Sequence, residues 1–90
     1  MGKAGITIKT MPTSPEVNLE EIKTKIQEVV ESEEGKILEH NEEPVAFGLK
    51  AIVTRFQWDE QKESEEIVGK VESIENVNSC QVIDVRRMVQ

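Results

Sequence analysis

The ten residues Leu49-Lys50-Ala51-Ile52-Val53-Thr54-Arg55-Phe56-Gln57-Trp58, "LKAIVTRFQW", decide how this chain folds. Ile52, Thr54, Phe56 and Trp58 fall on one side of an extended segment, and Leu49, Ala51 and Val53 on the other. Alternation in β-branched and aromatic residues is the pattern of a strand. The first half is apolar on both sides, so the spacing predicts a central strand rather than an edge.

Working outward, Ile6 and Ile8 alternate with Thr7 and Lys9, which predicts a half-buried strand over Lys3–Met11. Met11-Pro12-Thr13-Ser14-Pro15 ends it, because prolines remove ladder donors and stiffen the connection. Asn18 with Glu21 three residues later is a helix start, and Val17 with Ile22 is the matching hydrophobic staple. Leu19, Ile22, Ile26 and Val29 then recur at helical spacing and predict a helix over 19–32, supported by a Glu21–Lys25 pair. Gly35 is a helix stop, and Lys36–Glu42 reads as a weakly patterned strand, at an edge or strongly twisted.

Beyond the central strand, Asp59-Glu60-Gln61-Lys62-Glu63 is a polar connection and Ser64 a cap for a second helix with acids in its first turn. Ile67, Val71 and Ile74 define its core face, and Gly69 within it costs ~1 kcal/mol relative to Ala unless the helix packs closely there. Asn76-Val77-Asn78-Ser79 breaks the helix, and Cys80, Val82, Ile83 and Val85 form the last strand. The order strand, helix, strand, strand, helix, strand predicts an α+β chain. It is the ferredoxin-like split βαβ sandwich, a four-stranded antiparallel sheet with two helices on one face.

A chain of 90 residues is expected to form one domain over 1–90, with one core and little spare. It is 37% hydrophobic and 32% charged, too apolar and too regular for a disordered acidic tail. The net charge of −7 argues against a broad phosphate-binding surface, so no direct nucleic-acid contact is expected and a basic protein partner is. Cys80 is the only cysteine, which excludes an internal disulfide and a set of thiolate zinc ligands, and fits a reducing, cytoplasmic setting. No signal-peptide run or membrane span is expected, and Thr7 sits one position beyond where a myristoylation pattern on Gly2 needs its hydroxyl. The chain is expected to be monomeric.

Chemistry-bearing residues are sparse. His40 is the sole histidine, without a nucleophile or orienting carboxylate specified nearby, and Glu39, Glu42 and Glu43 beside it read better as a solvated strand edge than as metal ligands. The acidic runs at Glu31–Glu34 and Glu60–Glu66 lack the spacing of a calcium loop. Cys80 reads as a small core residue, having no basic neighbour in sequence. There is neither a Gly-rich phosphate cradle nor a Gly-x-Ser-x-Gly elbow, and the aromatic and basic signature of an RNA-binding sheet is missing. The expectation is a chain that is no enzyme, needs no metal or cofactor and works by binding.

The most informative stretch is Glu42-Glu43-Pro44-Val45-Ala46-Phe47-Gly48-Leu49-Lys50. Phe47 either caps the core at a strand start or is held out on a corner between Pro44 and Gly48, and the residues alone leave both open.

"MPTSPEVNLEEIK" (Met11 to Lys23), "EEPVAFGLKAI" (Glu42 to Ile52) and "VNSCQVIDVRRM" (Val77 to Met88) resemble, in collinear order, the elongation factor 1-beta family in its archaeal form. The segment Arg55 to Gly69 resembles it less. The resemblance implies a ferredoxin-like guanine-nucleotide exchange factor for elongation factor 1-alpha, the GTPase that delivers aminoacyl-tRNA to the ribosome. It further implies that Phe47, Gly48, Leu49 and Lys50 begin a strand and that the Phe47 ring inserts into a hydrophobic pocket of the GTPase. Eukaryotic members use a lysine near the chain end at the magnesium site; here the end is Arg86-Arg87-Met88-Val89-Gln90, leaving Arg86 and Arg87 as candidate substitutes with a different geometry. From another class, the alternative is a ferredoxin-like regulatory or ligand-binding module that dimerises through its sheet.

Overall fold

A computed structural model describes residues 3–59 and 61–87; Gly2 of the discounted myristoylation pattern, Glu60 of the acidic run, and Met88, Val89 and Gln90 lie outside the described residues. The elements run β1 (Lys3–Pro12), α1 (Leu19–Ser32), β2 (Lys36–Pro44), a turn at Ala46–Gly48, β3 (Lys50–Asp59), α2 (Glu65–Glu72) and β4 (Val77–Arg87). The four strands form one antiparallel sheet in the order β2-β3-β1-β4, the ferredoxin-like α+β fold. Apolar residues on both sides of β3 are explained by its place between β2 and β1.

One sheet face carries the core. Every second residue of β1, from Ala4 to Pro12, is buried, and Ala4, Ile6, Ile8 and Thr10 stand opposite Trp58, Phe56, Thr54 and Ile52 of β3. Ile22, Ile26 and Val30 of α1 and Ile67 and Val71 of α2 close over them, the two helices touching one another. Phe56 meets Trp58 edge-on, ring centroids 5.7 Å apart at 89°, the arrangement aromatic quadrupoles favour. The buried stripe of α1 ends at Val30; Val29, expected from the spacing, is only half-buried. The Lys62 amine sits 5.3 Å from the Trp58 ring centre and donates to the Glu33 carbonyl at 2.7 Å, tying the approach to α2 onto the end of α1.

Several local expectations are corrected. Helix α1 is stopped by Glu34, at φ 70°, and not by Gly35: the Glu34 and Gly35 N–H groups donate to the Glu31 and Val30 carbonyls at 3.1 and 2.9 Å, a Schellman closure. Gly35 is needed for space, because a Cβ there would lie 2.7 Å from Val30 Cγ1 and 3.0 Å from Trp58 Cε3. Asn18 caps α1 as expected, accepting from the Glu20 N–H at 3.0 Å, but the ion pairs on this helix run from Lys23 rather than from Lys25. Ser64 makes no side-chain cap and starts α2 through its carbonyl, which accepts from Ile67 and Val68. An added Cβ at Gly69 would meet open space, so no close packing offsets its cost.

Strand β1 runs on to Pro12 through a register shift, where Pro12 faces Val77. β4 accordingly begins at Val77, released from α2 by Asn76 at φ 73°, and not at Cys80. Ile83 and Val85 of the last strand are 47% and 57% exposed, because β4 is an edge strand that slips register between its Val82 and Asp84 pairings. Among the described residues no helix is long and apolar enough to cross a membrane.

Candidate functional site

The exposed aromatic at the β2–β3 connection is the most unusual feature of the surface. β2 ends at Pro44, whose partner across the ladder is Lys50, and the Val45 N–H donates to the Leu49 carbonyl at 2.9 Å. Inside this closure the Leu49 N–H donates to the Ala46 carbonyl at 3.3 Å, with Phe47 (φ 63°, ψ 27°) and Gly48 (φ 77°) as the central residues. Two successive positive φ values under one such bond make a type I′ turn, whose twist suits a right-handed hairpin. Glycine fits the second position. The first normally takes Asn, Asp or Gly, and a side chain with a bulky ring is strained there by roughly 1–2 kcal/mol.

Phe47 is 93% exposed, far beyond the other large apolar residues on the surface. The ring therefore does not cap the core, and of the two possibilities left by the sequence the presented one holds. Gly48 has nothing within 4 Å of where a Cβ would stand, so it serves the turn rather than a close approach within the chain. Leu49 is half-buried, and Lys50 is exposed on the bank of a shallow groove against the β1–α1 loop.

The helix after that loop and β2 are held together by charge. Lys23 donates to Glu42 at 2.8 Å and to Glu20 at 3.0 Å, with its own side chain only 18% exposed. The hydrogen bond to Glu42 is the first cause raising the Lys23 pKa, and the same bond holds the Glu42 carboxyl below the ordinary carboxylate value. The start of α1 is thereby fixed to the end of β2, next to the turn.

Arg86 and Arg87 do not join this corner. Arg87 faces Ala4 and Arg86 faces Gly5, whereas Ile52 faces Thr10 and Lys50 lies two residues further on. Eight strand positions separate Arg87 from Lys50, roughly 26 Å at ~3.3 Å per residue. Arg86 pairs with Asp84 at 2.9 Å. Arg55 and Arg86 line a trough on the sheet face away from the helices, and Arg87 borders both that trough and, opposite Ala4, a cavity with Trp58 and Lys62 on the core side. The structure thus groups Phe47, Gly48 and Lys50 at one end of the sheet and Arg86 with Arg87 at the other.

The remaining chemistry-bearing residues are accounted for. His40 Nδ1 lies 2.9 Å from Thr54 Oγ1, and burial lowers its pKa, which keeps the ring neutral at pH 7. Glu39 pairs with Arg55 at 3.7 Å, and among the described residues no three His, Cys, Asp or Glu side chains gather to hold a metal. Cys80 is a core residue whose thiol accepts from Thr10 and is pushed up to about 11 by burial. What the sequence reasoning missed was the turn type, for which Phe47-Gly48 between two strands was the available signal, and the Lys23–Glu42 tie, which no local spacing could give.

The chain matches the family described as EF-1 guanine nucleotide exchange domain over residues 5–88, which contain the corner, the groove and both arginines. It is 43% identical over 79 residues to elongation factor 1-beta of Methanocaldococcus jannaschii, covering 87% of this chain and 89% of that protein. Against elongation factor 1-beta of Methanothermobacter thermautotrophicus it is 40% identical over 90 residues, 99% of this chain and all of the relative. Against that of Methanosarcina barkeri the identity is 42%, over 98% of this chain. Agreement over nearly the full length, with relatives of almost the same size, shows that the chain belongs to the EF-1 guanine nucleotide exchange domain family.

Proposed function

We propose that this chain, acting as one domain, promotes release of GDP from elongation factor 1-alpha, with Phe47 as the wedge. The observation that carries this is the strained and 93% exposed ring on the type I′ turn. Stability alone favours Asn or Gly at that position and disfavours a bare aromatic in water, so the residue answers to something outside the fold. Gly48 completes the turn, the half-buried Leu49 anchors it, and the exposed Lys50 supplies a cation at the start of the next strand. Arg86 and Arg87 make a second, electrostatic contact from the far end of the sheet. The same partner must be large enough to span both.

The mechanism needs no catalytic group on this chain. A factor that binds the GTPase better when its nucleotide contacts are broken shifts the population toward the open state, and by linkage weakens the nucleotide to the same extent. A rigid ring driven into a pocket is suited to this, because it pays no ordering cost on docking beyond its two side-chain torsions.

The test is stopped-flow release of a fluorescent GDP analogue from elongation factor 1-alpha. The wild-type chain at saturating concentration is expected to accelerate release, and no acceleration overturns the proposal. Phe47→Ala is expected to lower the exchange efficiency about thirtyfold, the loss of a ~2 kcal/mol hot spot, with thermal unfolding unchanged. Arg86→Ala with Arg87→Ala is expected to lower the association rate and its salt dependence while leaving the fold intact.

A further inference from the structure

The turn that carries Phe47 stands beyond the body of the sheet. The ladder between β1 and β3 ends at Thr10 opposite Ile52, and Met11 and Pro12 pair with β4 alone. Ala51 and Lys50, the residues of β3 nearest the turn, therefore have β2 as their one strand partner among the described residues, through Glu43 and Pro44. A two-stranded ribbon is marginally stable by itself and twists more than a wider sheet. Backbone pairing thus leaves the direction of the Phe47 ring loosely set.

An ion pair grips this ribbon on each face. Glu42 stands opposite Ile52, on the helix side, where Lys23 of α1 donates to it at 2.8 Å and to Glu20 at 3.0 Å. Glu43, one residue on, turns to the other face, where Lys9 of β1 lies 3.9 Å away. Both lysines come from outside the hairpin, so the ribbon is tied to a helix above and to a neighbouring strand below. The tie through Lys23 is the tighter. Its two side chains are 18% and 34% exposed, against 26% and 54% for Lys9 and Glu43, so water screens it less. Exposed pairs contribute little to stability. A misplacement of about 1 Å, in contrast, can cost about a hundredfold in rate, and a ribbon free to bend loses binding free energy when it is ordered on docking. These ties therefore matter more for aim than for folding.

We propose that Lys23, acting through Glu42, is a positioning residue for the Phe47 ring, with Lys9 and Glu43 as a weaker counterpart on the opposite face. This rests on the exchange function proposed above. Lys23 acts without touching the GTPase: it fixes the direction in which the ribbon leaves the sheet.

The experiment measures GDP release with Lys23→Met and Glu42→Gln, which keep side-chain shape and remove one charge each; Glu42→Gln, on the exposed ribbon, keeps the question answerable where Lys23→Met disturbs folding. Each is expected to lower exchange efficiency about tenfold, and the two together also about tenfold, because they break one and the same tie. Lys9→Met is expected to cost about twofold. Added to Phe47→Ala, Lys23→Met is expected to change nothing further. In the chain without its partner, the N–H order parameters of Phe47 and Gly48 are expected to fall in Lys23→Met while those of β1 and α2 hold. Wild-type acceleration with undiminished exchange in the folded single variants, with losses that multiply in the double variant, or with a loss that persists in Phe47→Ala, overturns the positioning role and leaves exchange standing. Unchanged order at Phe47 and Gly48 also overturns it. No acceleration by the wild-type chain removes exchange and positioning together.

Discussion

Phe56 and Phe47 are the only phenylalanines in the chain, nine residues apart, and they occupy opposite environments. Phe56 is fully buried in the middle of β3, on extended backbone, facing Ile6 across the ladder and Trp58 along the strand. Phe47 is 93% exposed on left-handed backbone and shields no part of the core. The same side chain is thus used once for folding and once against it. A buried ring contributes apolar area removed from water, whereas the exposed one adds strain and hydrated hydrocarbon that only a partner can remove.

The largest effect expected is at the buried ring. Phe56→Ala should cost about 3–5 kcal/mol, a large part of the stability of a domain this small, with any loss of exchange tracking unfolding by circular dichroism. Phe47→Ala, by contrast, should leave the unfolding transition in place while exchange collapses. If the two variants lose stability alike, the distinction fails.

Next comes Gly35, where the core presses on the backbone. Gly35→Ala should cost about 1–3 kcal/mol in chemical denaturation, because the methyl would meet Val30 and Trp58 at 2.7 and 3.0 Å and neither is a loose chain end. Phe47→Asn runs the other way. Placing a residue that accepts positive φ on the type I′ turn should add about 1 kcal/mol and raise the melting temperature by about 4–8 °C, while abolishing accelerated GDP release. A destabilised Phe47→Asn variant would show that the ring supports the fold after all. Gly69→Ala, on an exposed helix position with open space around it, should add about 0.5–1 kcal/mol and leave exchange untouched.

The smallest effect is a pH dependence confined to the core side of β2. Burial lowers the pKa of His40, so the unfolded chain binds its proton first and stability falls as pH drops below the ordinary value of 6.5. Glu33 and Glu42, both held below 4.5 by lysine partners, lose their contribution only in more acidic solution. Thermal melts between pH 7 and 5 should therefore slope downward in the wild-type chain and flatten in His40→Gln. The Phe47 corner should contribute nothing to that slope.

How much of this was legible in the sequence follows the range of the interactions involved. The period of two in β1 and β3, the helix over 19–32 and the Asn18 cap were readable, because alternation, helical spacing and capping act within a few residues. The element order then left few antiparallel arrangements, and the ferredoxin-like one was reached from it. Val30 in place of Val29, Gly35 as a spacer and the exposure of Ile83 and Val85 were not readable, since each depends on how a helix or an edge strand sits against the sheet.

At the site the sequence by itself determined the residue types: an aromatic next to a glycine, a lysine two positions on, and a proline-flanked loop with an Asn-capped helix behind it. Those patterns sufficed to suggest the family. Only the tertiary structure decided that the Phe47 ring faces water on a strained turn, that the prolines form the other bank of its groove, and that Arg86 and Arg87 lie at the opposite end of the sheet. The physical reason is that a side chain's identity and its local spacing are written in consecutive residues, whereas its neighbours across the fold are set by ladder register and helix packing between segments tens of residues apart.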